Sequence, residues 1–214
     1  MTSGTVWCSV MSEIAFKVLL VGDSKVGKTS FVKRYVFGMN TRREYKATVG
    51  VDFACKAIPW DQNTTIRLQF WDIAGQEKYT SMTRAYYRDA TACIIMFDLT
   101  SQPTFSKVVF WKEDLDSKCK LPDGKLIPCI LVGNKSDLSA RPVPKQTIDK
   151  LCRDHSFLGW TEMSVKEEVN ISETVEFLVK ELMENHYGES SCAIENHPEG
   201  GGYIKLSNHE KQHA

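Results

Sequence analysis

Gly22-Asp23-Ser24-Lys25-Val26-Gly27-Lys28-Thr29 sets two glycines, a lysine and a hydroxyl in the pattern G-x-x-x-x-G-K-S/T, which suits a loop that wraps a polyphosphate. Glycine lets the chain fold tightly enough for successive backbone N–H groups, here those of Lys25 to Thr29, to point at phosphate oxygens. Lys28 would reach the β- and γ-phosphates, and the Thr29 hydroxyl would ligate magnesium. Ser24, Lys25, Val26, Gly27 and Ser30 complete the expected cradle, helped by the positive end of the helix that must follow. Such a string can also be a plain glycine turn. Its place between a strand pattern and a helix pattern argues for phosphate chemistry.

Trp71-Asp72-Ile73-Ala74-Gly75-Gln76-Glu77 closes an apolar strand pattern, so Asp72 is expected at a strand end facing the phosphate loop. Asp72 would hold magnesium through a bound water, Gly75 would offer its N–H to the γ-phosphate, and Gln76 would orient the attacking water. A lone D-x-x-G is a common turn and gains meaning only beside the phosphate loop. In Tyr45-Lys46-Ala47-Thr48-Val49-Gly50, Thr48 is expected to place its hydroxyl on magnesium and its N–H on the γ-phosphate. Loss of that phosphate would release Thr48 and Gly75 together, an order-to-disorder change that partners can read.

Asn134-Lys135-Ser136-Asp137 follows another apolar run and speaks about the base. The Asp137 carboxylate can accept from guanine N1–H and the 2-amino group, whereas adenine has an acceptor at N1 and lacks that amine. The expected ligand is therefore GTP or GDP with Mg2+, and ATP should be rejected. Lys135 would cover one face of the base, and Asn134 would tie this loop to the phosphate loop. Ser164-Val165-Lys166 would add a backbone N–H for the guanine oxygen and a second covering stem.

These segments need rigid elements to hold them. Short apolar runs alternating with helical periodicity predict an α/β fold, a six-stranded, mostly parallel sheet with helices on both faces, and the phosphate loop between its first strand and helix makes the expected fold a P-loop NTPase fold. Strands are expected at 16–21, 52–60, 65–71, 92–97, 128–132 and 160–164. Asp61-Gln62-Asn63 reads as a turn making one antiparallel edge hairpin. Helices are expected from Lys28 to about Gly38, over 104–117 and 146–154, and along the face of Ile171, Val175, Leu178, Val179, Leu182 and Met183, where Asn170 and Glu173 resemble a capping box. Residues 1–14 are read as a disordered extension, 15–185 as the catalytic domain and 186–214 as a flexible tail.

Composition narrows the classes further. The 214 residues carry 27 Lys+Arg against 27 Asp+Glu, a balance that calls for neither nucleic acid nor a bulk acidic surface. Seven cysteines without C-x-x-C spacing argue against a disulfide framework or zinc site and fit a reducing cytoplasm. No apolar run reaches the roughly 20 residues of a spanning helix, and the first residues lack a secretory pattern.

Together, in this order, these residues resemble the Ras superfamily of small GTPases over about 16–185, and within it the Rab type. The Rab-like segments are Val49-Gly50-Val51-Asp52-Phe53, Arg67-Leu68-Gln69-Phe70-Trp71-Asp72, Gly75-Gln76-Glu77-Lys78-Tyr79 and Tyr86-Tyr87-Arg88-Asp89-Ala90. The resemblance implies that Phe53, Trp71 and Tyr86 form an effector-reading triad. Ile73 within Trp71-Asp72-Ile73-Ala74-Gly75, Met82-Thr83-Arg84, Trp111-Lys112 and Asp114-Leu115-Asp116-Ser117-Lys118 followed by Leu121-Pro122 are similar to the subgroup serving the trans-Golgi network, endolysosomes and lysosome-related organelles. It implies a monomeric switch in vesicle and protein transport that is cytoplasmic and recruited to the cytosolic face of those membranes. Implied partners are effectors, an exchange factor, a GTPase-activating protein and a GDP-dissociation inhibitor.

Two departures stand out. Met39 and Asn40 occupy the place where Rabs set a phenylalanine over the guanine. The last cysteine is Cys192, and the final residues, Glu210-Lys211-Gln212-His213-Ala214, offer no prenylation cysteine; membrane association is thus an expectation of the resemblance alone. A nucleotide-bound scaffold that does not cycle is the rival reading, and a nucleotide kinase is a third that the Asn134–Asp137 segment disfavours.

Overall fold

The computed structural model describes residues 12–39, 48–75 and 83–188. Its elements are β1 (Ser12–Gly22), α1 (Lys28–Phe37), β2 (Val51–Pro59), β3 (Thr64–Ile73), α2 (Thr83–Tyr87), β4 (Ala92–Asp98), α3 (Gln102–Ser106), α4 (Val108–Lys118), β5 (Cys129–Asn134), α5 (Lys145–Asp154), β6 (Gly159–Glu162) and α6 (Ile171–Gly188). One six-stranded sheet runs in the order β2-β3-β1-β4-β5-β6. Only the β2–β3 pair is antiparallel, as the hairpin pattern predicted.

Every residue of β4 and β5 is buried, which is what continuous apolar strands in a parallel sheet covered on both faces require. Side chains alternate between two cores. On one face Leu20, Phe31, Phe70, Ile94, Val132 and Leu178 pack beneath α1 and α6. On the other Leu19, Ile95, Leu131, Trp111, Leu115 and Ile148 pack beneath α4 and α5. Truncating one such side chain, for example Leu68→Ala, costs about 2–5 kcal/mol.

The turns follow local chemistry. Asp61 Oδ1 accepts the N–H groups of Asn63 at 2.7 Å and Thr64 at 2.8 Å, so the aspartate side chain stands in for a backbone partner at the hairpin. Gly38 ends α1 at φ +64° and donates its N–H to the Arg34 carbonyl at 3.0 Å, the left-handed ending that glycine permits.

Several boundaries differ from the sequence-based expectation. β1 starts at Ser12, inside the expected 1–14 extension, because its register with β3 continues outward to Thr64. The helix expected over 104–117 breaks at Lys107 into α3 and α4, and the short α2 carries no sequence signal strong enough to predict it. α6 runs on to Gly188, past the expected limit at 185. Asn170, expected to cap α6, sits at φ +58° and turns its amide toward β6, donating to the Glu162 carbonyl at 2.7 Å. The tail from 189 onward lies outside the described residues.

Because β1, β3, β4, β5 and β6 are parallel, their C-terminal ends share one edge, which is where ligands bind in such sheets. Gly22, Asp72 and Asn134 all lie at that edge. Among the described residues no helix is long and apolar enough to cross a membrane.

Candidate functional site

The phosphate loop leaves β1 at Gly22 and enters α1 at Lys28. Gly27, at φ +108°, meets Asn134 so closely that an added Cβ would stand 2.2 Å from its Nδ2. Any other residue there would separate the phosphate loop from the end of β5. Val26 is buried and gives its carbonyl to Asn134 Nδ2 at 2.8 Å, while Lys25 takes a left-handed φ of +63°. Ser24 donates its N–H to Asp23 Oδ1 at 2.8 Å, and Ser30 lies in the first turn of α1.

Lys28 is 6% exposed. Its ammonium donates to the carbonyls of Gly22 at 2.9 Å and Asp23 at 2.8 Å. Burial pulls its pKa down to about 8 against the opposing pull of Asp72 and Asp23. A buried cation at the mouth of a backbone cradle is suited to an anion that offsets the cost of its burial.

Three side chains bearing oxygen converge beside it. The Thr29 hydroxyl lies 2.8 Å from the Thr48 hydroxyl and hydrogen-bonds Asp72 Oδ2. Asp72 is 1% exposed, and its Oδ1 has no hydrogen-bond partner among the described residues. Burial raises the Asp72 pKa despite the hydroxyl of Thr29 and the charge of Lys28. An unsatisfied buried carboxylate oxygen is costly. Two hydroxyls with one carboxylate form a hard oxygen set that fits Mg2+ bound alongside phosphate.

Gly75 closes the phosphate side. A Cβ on it would fall 2.4 Å from Asp23 C and Ser24 N, so only a glycine brings this strand exit against the phosphate loop. Gln76 lies outside the described residues.

The base side is built from strand ends. Asn134 donates to Val26, as above, and its Oδ1 accepts the Val165 N–H at 3.1 Å; one amide thus ties three loops. Asp137 Oδ1 accepts from the Ser164 hydroxyl at 2.7 Å, and Lys166 lies 3.5 Å from Oδ2. Burial opposes ionisation of Asp137, yet Ser164, a backbone N–H and Lys166 together hold its pKa below the usual carboxylate range. The carboxylate is therefore kept charged and oriented before any base arrives.

Sequence reasoning missed Asp98, the last residue of β4 and the lateral neighbour of Asn134. Its Oδ2 accepts from Lys135 Nζ at 2.6 Å, while Thr100 supplies its N–H and hydroxyl to Oδ1. Burial works against its ionisation, but Lys135 and Thr100 still keep its pKa below normal. The signal was present: a carboxylate ending an apolar strand at the same edge as Asn134. Asp23 was likewise given no role, and its Oδ2 pairs with Lys107 at 3.2 Å, anchoring the phosphate loop to the break between α3 and α4.

The Ras family profile matches residues 17–184. This chain belongs to the Ras family of small GTPases. Within that family it is similar to Ras-related protein Rab-7L1 from Homo sapiens, 54% identical over 191 residues that span 89% of this chain and 92% of the relative. Rab-7L1 from Rattus norvegicus is 52% identical over 89% of this chain and 91% of its own length. Rab-32 from Homo sapiens is 47% identical over 81% of this chain and 77% of its own. The chain is a Rab-type small GTPase that binds guanine nucleotide, hydrolyses GTP and acts in membrane trafficking. In this Rab, Phe53 and Trp71 face each other across the β2–β3 register with ring centroids 5.6 Å apart. Tyr86 packs half-buried over the same core as Trp71.

Proposed function

We propose that this Rab cycles between GTP- and GDP-bound states with Thr29, Thr48 and Asp72 as the magnesium-holding residues. Lys28 and the backbone N–H groups from Ser24 to Ser30 bind the phosphates. Asp137 selects guanine through two accepted hydrogen bonds, and the stems of Lys135 and Lys166 flank the base, with the Val165 segment completing its edge. Magnesium, when bound, supplies charge neutralisation of the phosphates. Gln76 orients the attacking water, and Gly75 and Thr48 sense the γ-phosphate. Intrinsic turnover is expected at about 10⁻⁴ to 10⁻³ per second, raised by an activating protein that supplies an arginine.

The observation that carries this reading is the meeting of Thr29, Thr48 and Asp72, whose Oδ1 has no partner among the described residues, beside buried Lys28. A bound cation would satisfy that carboxylate oxygen, and an anion would offset the buried charge of Lys28. Effectors read the cycle at Phe53, Trp71 and Tyr86, since half-exposed aromatics are favoured anchors. We place its work on the cytosolic face of trans-Golgi, endolysosomal or lysosome-related membranes, with an exchange factor and a GDP-dissociation inhibitor as further partners. The supports are the subgroup segments around Asp114 to Lys118 and the relatives' likeness.

Single-turnover phosphate release tests the cycle. Wild type should hydrolyse GTP slowly, and Gln76→Leu should slow it at least about tenfold while GTP affinity stays unchanged. A wild-type protein that holds GTP without releasing phosphate, even with an activating protein present, would make it a nucleotide-bound scaffold instead.

A further inference from the structure

Trp71 poses a physical question that its neighbours answer. Its indole N–H is buried and has no hydrogen-bond partner among the described residues. A ring in a partner-facing position, not tethered by its own donor, must be oriented by contacts to its faces and edges. Phe53 supplies one of these, edge to face at 74°. The other comes from β1: the Lys17 ammonium stands 3.9 Å from the Trp71 ring centroid, where a cation is attracted to the negative face of the indole.

The same ammonium donates to the Arg88 carbonyl at 2.6 Å. The Lys17 main-chain carbonyl accepts both the N–H and the hydroxyl of Thr91, at 2.9 and 3.0 Å. Lys17 is thus fastened at both ends to the segment that leaves α2, two residues after Tyr86. One side chain from the sheet interior connects the ring on β3 to the turn that fixes the ring on α2.

We infer that Lys17 is a positioning residue for the partner-facing surface: it sets the Trp71 ring and the turn after Tyr86 as one rigid unit. The inference rests on the reading of Phe53, Trp71 and Tyr86 as the effector face. Its consequence is that an effector meets a surface already ordered on this side, whichever nucleotide is bound. A protein partner with an apolar or aromatic anchor is the chemistry such a surface fits.

The experiment uses the full chain loaded with GDP and no effector, so it can fail while the effector reading stands. The chain has five tryptophans, and Trp71→Phe identifies which indole resonance belongs to Trp71. Lys17→Met keeps the stem and removes the charge. It should shift and broaden the Trp71 indole resonance and move the Tyr86 ring and Asp89 amide signals. The other four indoles and GDP affinity should stay unchanged, and Lys17→Arg should bring the signals back. A Trp71 resonance that is unmoved in Lys17→Met overturns the inference, as does an equal disturbance of all five indoles. Should Lys17→Met not fold, the wild type still decides. Its Lys17 ε-protons should lie upfield of every other lysine because of the ring current, and Trp71→Leu should abolish that shift. Absence of an upfield lysine in the wild type overturns the proposal equally.

Discussion

The two halves of the nucleotide site are built on opposite principles. On the base side the polar groups are partnered with one another: Asp137 with Ser164, Lys135 with Asp98, Asn134 with both Val26 and Val165. On the phosphate side the groups lean on one another for want of anything better. Lys28 borrows two carbonyls, Thr29 contacts Thr48 and Asp72, and one Asp72 oxygen has no partner among the described residues. Preorganised dipoles suit selection of a base, because they lose no entropy on binding. A buried cluster of charge with an unpartnered carboxylate oxygen suits a phosphate switch, because it is the ligand that stabilises it. The phosphate half should therefore govern affinity, and the base half identity.

Substitutions that separate those two roles sharpen the contrast. The largest effect is expected for Lys28→Ala, which removes a buried charge aimed at the phosphates. Loss of one partner from such a pair costs about 3–5 kcal/mol, so GDP affinity should fall by roughly a thousandfold in equilibrium titration. Gly75→Ala should come next, because its methyl would lie 2.4 Å from the phosphate-loop backbone. It should weaken GTP binding more than GDP binding, read by competition with a fluorescent nucleotide. Asp137→Ala should cost guanine affinity about a hundredfold while leaving affinity for inorganic pyrophosphate unchanged, which places the loss in base selection.

Smaller effects probe how complete the base side is. Asp98→Asn frees the Lys135 stem, and GDP dissociation should quicken by about three- to tenfold, on the order of 1 kcal/mol. The pH dependence should be carried by the phosphate side. Burial holds the Lys28 pKa down to about 8, and phosphate binds the protonated form. GDP binding should therefore take up a proton as pH rises through 8, and affinity should weaken above that value. In Lys28→Arg this dependence should disappear, as calorimetry in buffers of different ionisation enthalpy would read. A flat profile in wild type would mean that the lysine is not the group the phosphates recharge.

The unequal legibility of the two halves in the sequence has a physical cause. The phosphate loop is a local object: contiguous residues, glycine geometry and a following helix, so Gly22 to Ser30 could be read directly. Asn134 and Asp137 could be read because guanine dictates a carboxylate at a strand end. The six strands and the hairpin also followed from periodicity and from Asp61-Gln62-Asn63. Asp98 was missed because its role exists only through lateral strand pairing, 36 positions from Asn134 in the chain but directly beside it in the sheet. The Asp23–Lys107 pair was missed because it joins a loop to a helix break far along the chain, a contact that no local pattern carries. At Asn170 the backbone sits at φ +58° rather than in the extended conformation of an N-cap, and the side-chain nitrogen donates to Glu162. Gln76 was legible from the string Gly75-Gln76-Glu77 and lies outside the described residues.

Calorimetric titration of the purified, nucleotide-stripped chain with GDP and with ADP, each with magnesium, tests the central claim most directly. The site described above predicts tight binding of GDP and at least about a thousandfold weaker binding of ADP, because adenine leaves the Asp137 carboxylate without donors. Equal affinity for both, or heat from neither, would contradict it.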